Sequence, residues 1–355
     1  MENLLIKDLL KKEPYSLNIK NKKTFFLKQL QKLNKHHYKN SINYRKIINK
    51  LNVDIEKEKK IENMPFLPVR LFKEHEFLSI NKKKIVKILE SSGTSTNRPS
   101  KIYLDKFNAK NQFKVLQQLV STKIGSKRIP MIVIDSDTRK LDRFQFGARI
   151  AAINGFSIFA NDVFFLLKND QIDYKNLRKF LNKYENKKIF IFGFTFKIFE
   201  TLINKYQNQG DNIINLKNSI LIHGGGWKKM EHFKISNNEF KKSLKNKFKI
   251  KKIYNYYGLV EQTGSIFFEC DCGFMIASNY SDVLIRNDNL EIVEDGEYGF
   301  IQLMSLLPTS YPGHNIITED IGCIVKEKCN CKINGKRFLI KGRVNNAEIR
   351  GCSDV

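Results

Sequence analysis

An α/β fold is expected, with a helical N-terminal region and a β-rich C-terminal lobe. Three observations predict it. Residues 1–60 set apolar side chains at helical spacing, as in Phe25, Phe26, Leu30 and Leu33, then Tyr44, Ile47, Ile48 and Leu51. From about 107 to 223, helical stretches alternate with short apolar strands. After about 253, short β-like runs are punctuated by Gly, Asp and Asn.

The elements follow in order. The first 60 residues read as two or three amphipathic helices packed on a core. MPFLPVRLF, at 64–72, is extended, because Pro65 and Pro68 bias their predecessors away from helix. Residues 91–101 form a small-polar loop. A helix at about 107–121 and the strand MIVID at 131–135 come next, then a helix near 143–154 and a strand at 156–159. IFIFGFTF, at 189–196, reads as a strand buried on both faces. SILIH, at 219–223, is another and leads into three glycines. SIFFE, FMIAS, DVLIR, LEIVE, GFIQLM, GCIVKE and KRFLI supply the β-rich lobe. By this texture the chain divides into a helical region, 1–63, an α/β region, 64–252, and the β-rich lobe, 253–355.

Length and composition narrow the class. A chain of 355 residues, 41% hydrophobic and 12% aromatic, can bury a sizeable core. No apolar run approaches the ~20 residues needed to span a bilayer. The opening MENLLIKDLLKKEPYS lacks the marks of a signal peptide, so a cytoplasmic location is expected. The net charge of +27 raises nucleic-acid binding as an alternative function. The lysines are scattered, however, and accompany abundant Asn and Ile, which points to compositional bias. No zinc-finger, helix-turn-helix or RNA-recognition signature occurs, so nucleic acid is disfavoured as a partner. The charge suits anions such as nucleotides or an acidic carrier protein. Of six cysteines, four form two C-x-C pairs, Cys270 with Cys272 and Cys329 with Cys331. In a reducing compartment disulfides are not expected. Four thiolates in two close pairs can bind Zn²⁺ tetrahedrally; free thiols in β-hairpins are the alternative. Cys323 reads as a core residue.

Five motifs carry the chemistry, each with a plain turn or an ordinary surface residue as its alternative. SSGTSTNRPSK, Ser91 to Lys101, has the glycine, hydroxyls and basic ends that wrap phosphate oxygens, with Arg98 or Lys101 neutralising charge. It lacks the P-loop spacing. HGGGWKK, His223 to Lys229, follows a buried strand, and its glycines let backbone approach a ligand. The carboxyl end of such a strand is where α/β sheets bind nucleotides. NYYGLVEQTGS, Asn255 to Ser265, offers an aromatic face beside glycine, then Glu261, a carboxylate suited to Mg²⁺. NIITEDIG places Asp320 after a strand, where it can accept hydrogen bonds from both ribose hydroxyls. In IKGRVNNAEIRGC, Gly342-Arg343 ends a strand.

The order of these motifs is the series seen in adenylate-forming enzymes. The segments MPFLPVRLFK, SSGTSTNRPSK, RFQFGARIAAINGF, FIFGFTFKIFE, HGGGWKK, YGLVEQTGSIFFEC, SDVLIR and GRVNNAEIRGCS resemble the LuxE-type acyl-protein synthetases, relatives of the phenylacetate–CoA ligases. The resemblance covers most of the chain beyond about residue 60. It implies an adenylate-forming enzyme N-terminal-domain-like fold lacking the mobile C-terminal domain. It also implies ATP, Mg²⁺ and an acyl carboxylate, a fatty acid, activated as acyl-AMP. By motif position, Ser92, Gly93, Thr94 and Lys101 would hold the β- and γ-phosphates. Gly225 and Gly226 would line the adenine site, and Tyr257 would stack on the base. Glu261 would serve Mg²⁺, Asp320 the ribose, and Arg343 the ribose or α-phosphate. Cys352, near the C-terminus, would accept the acyl group and pass it to a reductase-like acceptor protein. An acyl carrier protein or CoA as acceptor is the alternative within enzymes, as in surface polysaccharide or lipid modification; a catalytically silent scaffold lies outside them. Two departures stand out: Thr96 occupies a position usually held by glycine, and the catalytic lysine of the mobile domain has no counterpart. Arg343, Lys341 and Lys228 are the cations that remain for the α-phosphate. Phe164, Phe165, Phe190, Phe194 and Phe196 line an apolar acyl site or belong to ordinary core.

Overall fold

A computed structural model of the chain describes residues 4–55, 57–91, 99–138, 148–206, 214–227, 235–327 and 329–343. In chain order the helices are α1 (Leu4–Leu9), α2 (Ile19–Asn40), α3 (Ile42–Lys50), α4 (Leu71–Glu74), α5 (Lys106–Ile124), α6 (Ala148–Ser157), α7 (Tyr174–Lys183), α8 (Thr195–Ile198) and α9 (Asn237–Phe248). The strands are β1 (Leu67–Pro68), β2 (Ile85–Glu90), β3 (Lys101–Asp105), β4 (Ile129–Ser136), β5 (Ala160–Lys168), β6 (Gln171–Ile172), β7 (Ile189–Phe194) and β8 (Ser219–Gly224). They continue as β9 (Lys252–Tyr257), β10 (Phe267–Glu269), β11 (Met275–Ile276), β12 (Ser281–Arg286), β13 (Gly299–Ser305), β14 (Asn315–Ile324) and β15 (Arg337–Arg343).

The chain forms two compact units, a continuous one of residues 120–257 and a discontinuous one of 1–119 with 258–348. Neither follows the linear divisions at 63 and 252, because the N-terminal helices pack with the C-terminal strands.

The continuous unit is built on a parallel sheet. β5, β4, β7, β8 and β9 run parallel in that order, and β6 adds an antiparallel edge beside β5. β7 and β8 are buried along their whole length. That is why IFIFGF carries no polar alternation: helices cover both faces. On one face Ile132, Ile191 and Leu221 pack against Leu177 and Phe180 of α7 and Phe240, Leu244 and Phe248 of α9. The last three recur at i, i+4 and i+8, one stripe of a helix. α9 opens with a capping box, in which the Ser236 hydroxyl and the Glu239 carboxylate satisfy each other's backbone amides. On the other face Phe156 stacks on Phe192 with ring centroids 4.3 Å apart. Phe190, Phe192 and Phe194 are fully buried, so the phenylalanines of β7 are core.

Two strand boundaries depart from expectation. Residues 156–159 were expected as a strand, but α6 runs to Ser157 and β5 begins at Ala160. LEIVE follows a turn at 288–289 and keeps only a single bridge, Arg286 to Ile292, with Leu290 at φ 63°.

In the discontinuous unit β12, β13, β14 and β15 form consecutive antiparallel pairs. β11 joins β15, and β10 joins β11. The MPFLPVRLF segment lays β1 parallel to β14, Leu67 opposite Ile316, before turning into α4. Against this sheet lies α2, capped by the Asn18 side chain accepting from the Asn21 amide. Its buried Phe26, Leu30, Leu33 and His37 form one stripe.

Polar groups tie helix to sheet. The His37 Nδ1 lies 2.7 Å from the Ser79 hydroxyl, and its ring stacks on His314 at 4.7 Å. His314 Nε2 lies 2.6 Å from Asn34 Oδ1, which also accepts from the Tyr44 hydroxyl. Burial pushes His314 down to about 3 and His37 well below the usual imidazole range; the neighbouring His36 pushes in the same direction. Both therefore stay neutral in the fold but take a proton in the unfolded chain below about pH 6.5. Stability is fully present above that pH and falls as the pH drops toward the folded-state values, by about 1 kcal/mol per unit for each histidine. Urea unfolding at pH 7.5 and 5.5 should show a lower midpoint at 5.5, and His314→Gln should shrink the difference. Equal midpoints would contradict neutral burial.

Candidate functional site

In the continuous unit the parallel strands β4, β7, β8 and β9 end together at their carboxyl edge, the side on which open α/β sheets bind ligands. β8 ends in His223-Gly224, paired with Gly193-Phe194 of β7 and with Asn255-Tyr256 of β9. Gly224 must be glycine, because a Cβ there would lie 2.4 Å from the Tyr256 ring. Gly225 takes φ +76°, a conformation that favours glycine. A Cβ on Gly226 would meet nothing within 4 Å, so this backbone is open to a ligand. Tyr256 packs on Phe156 at 5.3 Å and on Phe192 at 6.4 Å. Tyr257 is the next residue of the strand and takes the opposite face.

His223 is buried, and its Nδ1 is engaged. The Thr195 hydroxyl donates to the Gly224 carbonyl at 3.1 Å and lies 2.9 Å from His223 Nδ1, so Nδ1–H donates to that oxygen. Burial, with Lys241 adding a smaller push, lowers His223 to about 3. Thr195 opens α8, which passes at once into a π-helix over Phe199–Asn204. One more pair at this edge escaped sequence reading. Asp135, buried at the end of β4, takes two hydrogen bonds from the Arg149 guanidinium of α6. A carboxylate ending the MIVID strand was the signal available.

The discontinuous unit carries Lys101, Glu261, Asp320 and Arg343. Glu261 sits in a 3₁₀ turn, Val260–Gln262, and is 3% exposed. The adjoining Gln262 amide anchors this turn by donating to the carbonyls of Leu303 and Gly313 at 3.0 and 2.9 Å. Gly313 lets the chain pass, since a Cβ there would lie 2.5 Å from the Glu261 carbonyl oxygen. A buried carboxylate on so fixed a turn fits a hard divalent cation, which takes oxygen ligands.

Asp320 and Arg343 are brought together by strand register. They are direct cross-strand partners on β14 and β15, and Arg343 Nε donates to Asp320 Oδ1 at 2.9 Å. The Asp320 amide donates to the Thr318 hydroxyl at 3.1 Å, while that hydroxyl donates to Ile301 O at 2.8 Å. Lys101 opens β3, exposed, with its ammonium 3.3 Å from Glu90 across the β2–β3 hairpin. Ser91 and Ser100 close the base of that hairpin: the Ser91 amide donates to Ser100 O, and the Ser100 amide to Ser91 Oγ. Ser92, Gly93, Thr94, Arg98, Lys228 and Cys352 lie outside the described residues.

The same unit gathers the C-x-C pairs. The thiols of Cys270, Cys272 and Cys329 lie within 4.8 Å of one another. Cys329 Sγ is 3.7 Å from Cys270 Sγ and 3.0 Å from Cys331 Sγ. Arg337 approaches Cys331 Sγ with Nη2 at 3.6 Å. Cys323 is buried and outside this group, as its core assignment requires.

The fold is that of the adenylate-forming ligases. A solved 2-hydroxyisobutyryl-CoA ligase, in an open conformation with 2-HIB-AMP and CoA, aligns with a TM-score of 0.71 at 12% identity, over 94% of this chain and 77% of that one. The chain belongs to the LuxE acyl-protein synthetase family, whose model matches residues 2–355. It is 24% identical over 311 residues to a long-chain-fatty-acid–luciferin-component ligase of Aliivibrio fischeri, covering 82% of this chain and 78% of the relative. It is 21% identical over 331 residues to the ligase of the same description from Vibrio harveyi, covering 90% and 83%. The chain is accordingly an enzyme, an acid–thiol ligase that activates and joins an acyl group. Among the described residues no helix is long and apolar enough to cross a membrane.

Proposed function

We propose that this enzyme uses ATP to convert a fatty acid into its acyl-adenylate, then passes the acyl group to the Cys352 thiol and on to an acceptor protein. The observation that carries the reading is the Asp320–Arg343 pair set by the β14–β15 register, in a chain of the LuxE family.

In the first step a carboxylate oxygen of the acid attacks the α-phosphorus of ATP. An O–P bond forms, the α–β bridging bond breaks, and pyrophosphate leaves. Asp320 accepts from the ribose hydroxyls, and Arg343, oriented through its Nε–H by Asp320, holds its guanidinium toward the ribose or α-phosphate. The open backbone at Gly225 and Gly226 lines the adenine, and Tyr257 stacks on it. Ser92, Gly93, Thr94 and Lys101 hold the departing phosphates. Glu261 would hold Mg²⁺, and a divalent ion there would supply charge that offsets the phosphates. In the second step the Cys352 thiolate attacks the acyl carbonyl, the acyl–O bond breaks, and AMP leaves.

The test is acid-dependent ATP–pyrophosphate exchange with straight-chain acids of increasing length, followed by acyl loading onto the chain itself. Wild type should exchange and become acylated. Cys352→Ser should exchange at full rate yet carry no acyl group. Absence of exchange with every acid would overturn the first step. Full transfer to CoA or a carrier protein by Cys352→Ser would overturn the second and make the enzyme a direct ligase for that acceptor.

A further inference from the structure

We propose that Cys270, Cys272, Cys329 and Cys331 bind one zinc ion in a closed, four-thiolate structural site that clamps the connection between the strands bearing Asp320 and Arg343.

Distance is the first argument. Four sulfurs about 2.3 Å from a tetrahedral zinc lie about 3.8 Å apart. Cys270 and Cys329 stand at 3.7 Å, and Cys272 lies within 4.8 Å of both. Cys331 lies 3.0 Å from Cys329 but outside the group of three thiols within 4.8 Å, so its side chain must turn toward Cys270 and Cys272 to supply the fourth corner. None of these separations approaches the ~2.05 Å of a disulfide, and all four cysteines are free thiols.

The surroundings are the second argument. Backbone amides point at the sulfurs: those of Phe274 and Cys272 at Cys270, that of Asn330 at Cys272, and that of Cys331 at Cys329. Such contacts orient metal ligands generally. Arg337 at Cys331 offsets part of the negative charge that four thiolates leave around a divalent ion. A set of thiolates with no carboxylate or imidazole among its ligands selects a soft or borderline metal over Mg²⁺.

Position in the fold gives the site its role. Cys270 follows β10, and Cys272 lies in the turn before β11, where Gly273 takes φ +89°. Cys329 and Cys331 lie in the connection from β14 to β15. β11 pairs with β15 through Met275 and Phe338. The ion therefore joins two turns at the end of one strand group and fixes the span between Asp320 and Arg343. With four protein ligands it keeps no open position for substrate.

The proposal is independent of the acyl-transfer reading, because its readout is metal content. The full chain is purified under reducing conditions without a metal-affinity step, and its metals are measured by mass spectrometry. One zinc per chain is expected. Cys272→Ser, at an exposed position, and Cys331→Ser should bring zinc to background while circular dichroism stays native, and Cys323→Ser should keep it. Cobalt exchanged into the site should give thiolate-to-metal charge-transfer absorption and the intense visible bands of a tetrahedral centre. Zinc absent from a chain with all thiols reduced, iron in its place, or zinc retained after both serine replacements would overturn the site.

Discussion

Asp320→Ala is expected to lower acid-dependent ATP–pyrophosphate exchange by about 10- to 100-fold. A charge-assisted hydrogen bond to a bound ligand is worth roughly 1.5–3 kcal/mol, and each ~1.4 kcal/mol is a factor of ten. The carboxylate does two things at once. On the proposed reading it receives the ribose hydroxyls, and it holds the Arg343 guanidinium by the 2.9 Å bond to Nε. Losing it should therefore raise the KM for ATP and reduce turnover together. Arg343→Lys should reproduce the loss of turnover with a smaller change in KM, since a lysine cannot keep the planar fork. Stability should move less than activity: the Arg343 side chain is 32% exposed and Asp320 10%, and an ion pair reached by water contributes about 1 kcal/mol. Exchange within twofold of wild type for Asp320→Ala would remove the pair from the nucleotide site.

The second large effect concerns folding. Asp282→Ala should destabilise the protein by about 3–5 kcal/mol. Asp282 is buried on β12 with two lysines at its Oδ1, Lys22 of α2 at 3.8 Å and Lys336 at 3.6 Å. Lys22 is itself only 3% exposed, lies over the Phe26 ring and donates to Ala277 O. Burial lowers it to about 8 even though Asp282 pulls the other way. Without the carboxylate, an ammonium is left in an apolar setting and must either stay charged there or give up its proton. At about 2–4 °C per kcal/mol for a unit of this size, the melting temperature should fall by roughly 10 °C. Lys22→Met combined with Asp282→Leu should recover most of the loss, because matched apolar groups replace buried ions at little cost. A single Asp282→Ala within 0.5 kcal/mol of wild type, on the scale of ordinary surface changes, would show the triad to be incidental.

The apolar runs were legible because burial on both faces removes the polar alternation of a half-exposed strand, wholly in β7 and over Ile220–Ile222 of β8. Phe156 to Phe159 was not, since a four-residue run with three apolar residues satisfies helix and strand alike. LEIVE alternates like a strand, but the Asn287 side chain accepts from the amides of Asn289 and Glu291 and bends the chain into a turn. At the site, sequence named Asp320 and Arg343 separately; their pairing depends on a register with an irregularity between Ile321 and Gly322 that no local pattern reveals. Lys101 was named for phosphate, and its Glu90 partner follows from the β2–β3 hairpin, which went unread. Tyr256 was passed over for its neighbour because only the β8–β9 pairing puts its ring over Gly224. The cysteines could be counted in the sequence, but their meeting requires β11 to pair with β15.

The discontinuous unit also imposes an order on biosynthesis. Residues 120–257 leave the ribosome as one uninterrupted stretch with its parallel strands in hand. Helix α2 leaves earlier, with Phe26, Leu30 and Leu33 destined for a sheet whose strands are translated last. For most of translation that stripe has no native cover, and a nascent chain in that state is prone to aggregate and to engage chaperones.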